Sequence, residues 1–78
     1  MTYLEIKLLS INDVKEFVTM ATLFPFDTDL ISGRYTVDAK SIMGIFSIVP
    51  SESLKLAIYA EPEECADFTA AVLGKFGV

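Results

Sequence analysis

The sequence predicts an α+β fold, an open-faced β-sandwich of order β-α-β-β-α-β-α whose antiparallel four-stranded sheet carries three helices on one face. Three observations lead there. Each strand-like segment alternates apolar and polar residues, so it offers one apolar face, as in a sheet covered on one side only. Segments with apolar residues at helical spacing and clear start signals lie between them. Finally, 78 residues leave room for one core, hence a single domain over 1–78. A chain this short hides only roughly 60% of the surface its unfolded form exposes.

The first segment, TYLEIKLL at Thr2 to Leu9, places Leu4, Ile6 and Leu8 on one face and Tyr3, Glu5 and Lys7 on the other. Ser10 opens the first helix. Asp13, three residues on, makes a capping-box pattern, and Asp13 with Glu16 suits the positive end of the helix dipole. Val14, Phe17, Val18 and Ala21 recur at helical spacing, and the helix must stop by Phe24, the residue before Pro25. After the turn PFDTD, Leu30-Ile31 and Tyr35 to Val37 flank Ser32-Gly33 in a tight hairpin. A short second helix is expected from Ala39 to Ile48, ending in a loop at Pro50 and Ser51. LKLAIYA, Leu54 to Ala60, is the last strand, with Leu54, Leu56 and Ile58 inward. The third helix is expected from Pro62, with Glu63 and Glu64 in its first turn, Cys65, Phe68, Val72 and Phe76 on its buried face, and Gly77 at its end.

Composition excludes several function classes. The chain has one cysteine and no histidine, so no disulfide and no Cys/His metal site can form within it. No cofactor is implied. A lone thiol and a start, MTYLEIKLLS, without the basic front and apolar block of a signal peptide lead to the expectation of a cytoplasmic protein. Net charge is −5, six basic residues against eleven acidic, which disfavours nucleic acid and anionic membrane surfaces alike. At 53% hydrophobic, the chain is richer in apolar residues than the usual roughly 45–50%. A small domain leaves some of them exposed, which points to a protein partner or a homodimer.

No catalytic constellation is visible, and no enzyme activity is expected. Glu63 and Glu64 serve a helix dipole more readily than acid–base chemistry. Cys65 lacks the basic neighbours of a reactive thiol. Ser32-Gly33-Arg34 lacks the glycine run of a phosphate-cradling loop. Tyr3, Tyr35 and Tyr59 are candidates to share the open sheet face as a second contact surface.

The element order, and VDAKSIMGIFS followed by a loop and LKLAIYA, resemble the histidine-containing phosphocarrier family, HPr, of the bacterial phosphoenolpyruvate-dependent sugar phosphotransferase system. The most specific part is Ala39-Lys40-Ser41-Ile42-Met43, where the family carries a second-helix serine within an A-K-S motif. The resemblance implies an active-site histidine at the start of the first helix, with arginine and proline after it. Aligned on Phe17-Val18, those positions fall on Ser10, Asn12 and Asp13, and none is matched. The loop before that helix is also shorter than usual in the family. A phosphohistidine has a labile P–N bond, whereas a serine phosphomonoester is stable, so Ser10 cannot replace the carrier residue. Asp13 and Glu16 would also repel an incoming dianion where the family welcomes one.

The resemblance further implies that Ser41 is a regulatory phosphorylation site and that Ile42, Met43 and Phe46 form a docking patch for partner proteins. Ile45 and Ile48 then stay in the core, and Lys40 can pair with a phosphate on Ser41. Read from the residues alone, Ser41 is sufficiently explained as an N-cap, Lys40 as a solvated side chain, and the apolar residues as packing against the sheet. Three functions follow as expectations: an HPr-like binding or regulatory domain without histidine phosphotransfer, a component or regulator of the phosphotransferase system, or an unrelated small α+β dimerisation or ligand-binding domain.

Overall fold

A computed structural model describes residues Met1–Val78. The order is β1 (Thr2–Leu8), α1 (Ile11–Thr22), β2 (Thr28–Ser32), β3 (Tyr35–Asp38), α2 (Ile42–Phe46), β4 (Ser51–Ile58) and α3 (Ala66–Phe76). The four strands form one antiparallel sheet in the order β1-β4-β2-β3, and the helices pack on one face of it. This is the α+β open-faced sandwich that the alternating strands require.

The core lies between the sheet and the helices. Ile6, Leu8, Leu30, Leu54, Leu56 and Ile58 come from the sheet, with Val14, Phe17, Ile45, Phe68, Val72 and Phe76 from the helices. Each such side chain contributes about 1.5–3 kcal/mol when fully buried. Phe17 and Phe76 meet edge-on with centroids 5.9 Å apart, which ties α1 to α3. Phe24 and Phe26, just past α1, pack over Phe68 with centroids at 4.9 and 6.4 Å and close that end of the layer.

Local chemistry sets the boundaries. The β2–β3 loop is Gly33-Arg34, one residue later than the Ser32-Gly33 expectation, since Ser32 pairs with Tyr35. Gly33 holds φ +59 and no other residue is left-handed, the pattern of a type II′ hairpin turn with glycine first. Tyr35 pairs with Ser32 and so shares the helix side with Leu30 and Val37. It does not join Tyr3 and Tyr59 on the open face.

Other expected boundaries are corrected as well. Leu9 falls outside β1, and α2 runs from Ile42 to Phe46 rather than from Ala39 to Ile48. Ala39 and Lys40 instead form a turn in which Asp38 accepts twice: its Oδ1 from the Lys40 N–H and its carbonyl from the Ser41 N–H. Ser51 begins β4 by pairing with Leu8, so it is strand and not loop. At the third helix, Pro62 to Glu64 make a separate turn in which Cys65 N–H donates to the Glu61 carbonyl. The helix begins only after Cys65, so Asp67, not Glu63 or Glu64, is the acid in its first turn. Gly77 ends α3 as expected, in an extended conformation (φ −60, ψ 143) that bridges to Ile6.

Candidate functional site

The candidates from the sequence lie where α1 and α2 pack together: the end of α2 meets the start of α1, and the Lys40–Ser41 segment before α2 faces the end of α1. Ser10 is extended (φ −138, ψ 165), as an N-cap must be, and its Oγ accepts from the Asp13 N–H at 3.1 Å. Asp13 Oδ2 accepts in return from the Leu9 N–H at 3.0 Å. The reciprocal pattern is a capping box displaced by one residue on its return arm. It places a carboxylate at the positive end of α1, where the dipole stabilises it. Glu16 does not share that role. It pairs with Lys75 at 2.8 Å, linking α1 to α3 on the far side.

Ser41 caps α2 in the same way, extended (φ −99, ψ 101), with its Oγ accepting from Gly44 N–H at 3.3 Å. The hydroxyl is half-buried. Gly44 lies where α2 leans on β3: a Cβ there would sit 3.3 Å from both Ser41 Oγ and Val37 Cβ. The glycine therefore permits the close approach of helix to strand. Lys40 points its ammonium at the end of α1, donating to the Phe24 carbonyl at 3.4 Å, where a cation suits the negative end of the dipole.

The apolar residues of α2 divide. Ile45 is fully buried, whereas Ile42 and Ile48 are half-buried against the core. Met43 is 77% exposed and Phe46 38% exposed. Ile42 is thus placed mainly as packing, while Met43 and Phe46 face solvent.

A cleft of about 410 Å³ runs from Phe46 to the start of α1, lined by Leu9, Ser10, Ile11, Phe46, Val49 and Pro50. Leu9 and Ile11 are both exposed, so the cleft continues the apolar surface of α2 across Ser10. No lysine or arginine lines it. Residue-level reading missed Leu9, Ile11, Val49 and Pro50. Alternation assigns Leu9 to the strand, and Ile11 and Val49 lie at element ends where periodicity carries no signal. No three or more His, Cys, Asp or Glu side chains converge as a metal would need. No helix is long and apolar enough to cross a membrane.

The α+β open-faced sandwich is the fold of the small phosphocarrier-type proteins. No protein-family model and no curated sequence matches the chain, but solved structures do. HPr-C-His from Thermoanaerobacter tengcongensis is similar at 26% identity, over 100% of this chain and 98% of its own, with a TM-score of 0.76. The phosphocarrier protein HPr from Bacillus anthracis str. Ames is similar at 25% identity over 96% and 93%, with a TM-score of 0.72. Crh, the Bacillus subtilis catabolite repression containing protein, is similar at 29% identity over 92% and 86%, with a TM-score of 0.65, and was solved as a domain-swapped, intertwined dimer. The chain thus resembles the HPr and Crh proteins in fold and sequence over nearly its whole length.

Proposed function

We propose that this protein is an HPr-like binding and regulatory domain that performs no histidine phosphotransfer and acts on protein partners from the cytoplasm. The observation that carries the reading is the composition of the surface at the start of α1. The chain has no histidine, and an apolar cleft flanked by Asp13 stands where a carrier would hold a phosphoryl group. A dianion needs donors and positive charge. The Asp13 carboxylate already occupies the helix end and opposes such a ligand.

Docking then falls to the exposed side of α2, with Met43 and Phe46 as the contacts, Ile42 supporting them from below and Lys40 at the margin. Ser41 is the proposed regulatory site. A phosphate there would add about −1.5 to −2 of charge beside Met43. Its cost is the cap bond to Gly44, which the phosphate oxygens can replace as acceptors.

Incubation with labelled phosphoenolpyruvate and the general phosphotransferase enzyme tests the first half. No label should enter the chain, and Ser10→His should not restore transfer because Asn12 stands in the arginine position and Asp13 still repels the phosphate. Acid-labile phosphate on the native chain would refute the reading. For the second half, Met43→Glu should remain folded and lose partner binding; a folded variant that binds fully would remove α2 as the docking element.

A further inference from the structure

The two edges of the sheet are finished differently. At β1, Gly77 bridges to Ile6 and covers part of the outer edge. At β3 no strand pairs on the outer side, and Arg34, Tyr35, Thr36 and Asp38 are all exposed. Hydrogen-bond alternation fixes which backbone groups point outward there. The Ala39 N–H donates to the Thr28 carbonyl, so Asp29 and Asp38 form a non-hydrogen-bonded pair. Leu30 and Val37 are then a hydrogen-bonded pair, and Ile31 and Thr36 again a non-hydrogen-bonded one. The N–H and C=O of Thr36 therefore point away from β2, as does the Asp38 N–H. None of the three finds a partner within the chain, and the Arg34 carbonyl in the turn is equally free. Such an edge is a template for another strand, and Tyr35–Asp38 has no proline or lysine to blunt it.

Charge decides which strand fits. Arg34 and Asp38 stand two residues either side of Thr36, carry opposite signs, and have no ion-pair partner. Asp38 also lies directly opposite Asp29, a like-charge pair that costs stability in the lone chain. A two-fold axis through Thr36, normal to the sheet, sets each Arg34 opposite the other copy's Asp38, with Asp29 one strand behind. No like charges meet across that seam. Lys55 lies two strands away beside Ile31, and the Lys40 ammonium is turned to the Phe24 carbonyl. Moving the axis to Asp38 or to Arg34 opposes like charges, as a parallel in-register pairing also does. A move of one residue leaves Asp38 opposite Thr36 or Ser32, without a cation.

We propose that this edge binds a second copy of this chain, β3 against β3, joining the two sheets into one continuous antiparallel sheet. The Thr36 N–H of each copy donates to the Thr36 carbonyl of the other, and each Asp38 N–H donates to the other copy's Arg34 carbonyl. The two Arg34–Asp38 pairs flank these bonds and offset the repulsion from Asp29. Tyr35 of each copy comes opposite Val37 of the other. A four-residue edge buries less than the roughly 1,600 Å² of a standard interface, so the dimer should be weak and transient. This contact uses the rim of the sheet and does not rest on the docking reading above.

Sedimentation velocity on the full chain from micromolar to millimolar concentration tests it, with thermal melts as the folding control and amide exchange reading the edge directly. The native chain should pass from monomer to dimer over that range. The Thr36 amide, open to solvent in the monomer, should gain protection as it does so. Arg34→Asp, in an exposed turn, should stay monomeric. Asp38→Arg should too, although it moves the net charge from −5 towards zero. A stronger dimer from that variant would mean that general repulsion governs association, and it overturns the proposal. An equimolar mixture of the two variants, or the double variant, should dimerise again and restore the Thr36 protection. Thr36→Pro removes an N–H that takes no part in the ladder to β2, so it should fold and remain monomeric. If Asp38→Arg fails to fold, Arg34→Asp and the Thr36 amide decide between them. A native chain that stays monomeric at millimolar concentration overturns the proposal. So does a dimer whose Thr36 amide stays unprotected, or one that neither charge reversal weakens.

Discussion

The starts of α1 and α2 are built alike and placed differently. Both are capped by a serine in extended conformation that accepts from the N–H three residues on. At α1 the cap is exposed, carries a carboxylate, and heads a 12-residue helix anchored by Val14, Phe17 and Ala21. At α2 the cap is half-buried, has no acid in its first turn, and heads five residues anchored by Ile45, with Ile42 half-buried beside it. The contrast shows that one local motif serves two ends. At the long helix the cap is joined by an acid at the positive helix end. At the short one the cap stands alone beside the exposed Met43.

The division within α2 gives the largest expected effect. Ile45→Ala should cost about 2–5 kcal/mol, as for a large buried aliphatic, whereas Met43→Glu should stay within about 0.5 kcal/mol of native, as surface substitutions do. Denaturant unfolding of the pair measures both; similar losses would mean that Met43 is buried and α2 presents no free face. Next come the caps. Ser10→Ala should lose about 1 kcal/mol and Ser10→Gly less. Ser41→Ala should lose less than Ser10→Ala, because its bond is longer and α2 is held mainly by Ile45. A reversed order would break the contrast between the two starts.

Ser41→Asp is a smaller perturbation of the fold. Aspartate caps helices about as well as serine, so thermal melts should be nearly unchanged, while partner binding should shift if docking responds to charge at this position. Unchanged binding would return Ser41 to a purely structural role.

The smallest effect lies far from both caps. The hydrogen bond from Tyr59 to Asp29, and then the Asp29 charge, raise the Tyr59 phenol above its ordinary pKa. The folded state therefore favours the protonated phenol. This contribution is complete below about pH 10, where the unfolded phenol titrates, and fades as pH rises through the higher folded value. Ultraviolet titration should show one tyrosine ionising late, and Tyr59→Phe should remove it. Three tyrosines titrating together would contradict the hydrogen bond.

The sequence by itself determined the sandwich, because alternation over Thr2–Leu8 and Ser51–Ile58 allows only one buried face and helical spacing around Phe17 and Phe68 allows only one way to cover it. It also determined both serine caps, since capping is local chemistry within four residues. The absence of a histidine from these 78 residues is likewise a matter of composition. Tertiary structure decided the rest. The second helix loses Ala39 and Lys40 to a turn held by Asp38, and the third starts at Ala66 because Glu61 to Cys65 close a turn of their own. Only packing could show that Ile42 is half-buried while Met43 beside it is free, since a five-residue helix is too short for its pattern to name its inner face. The cleft from Leu9 to Pro50, and the open-face pairs Asp29–Ala57 and Ile31–Lys55, join residues far apart in the chain. Strand register and helix placement bring them together, and no local pattern encodes either one.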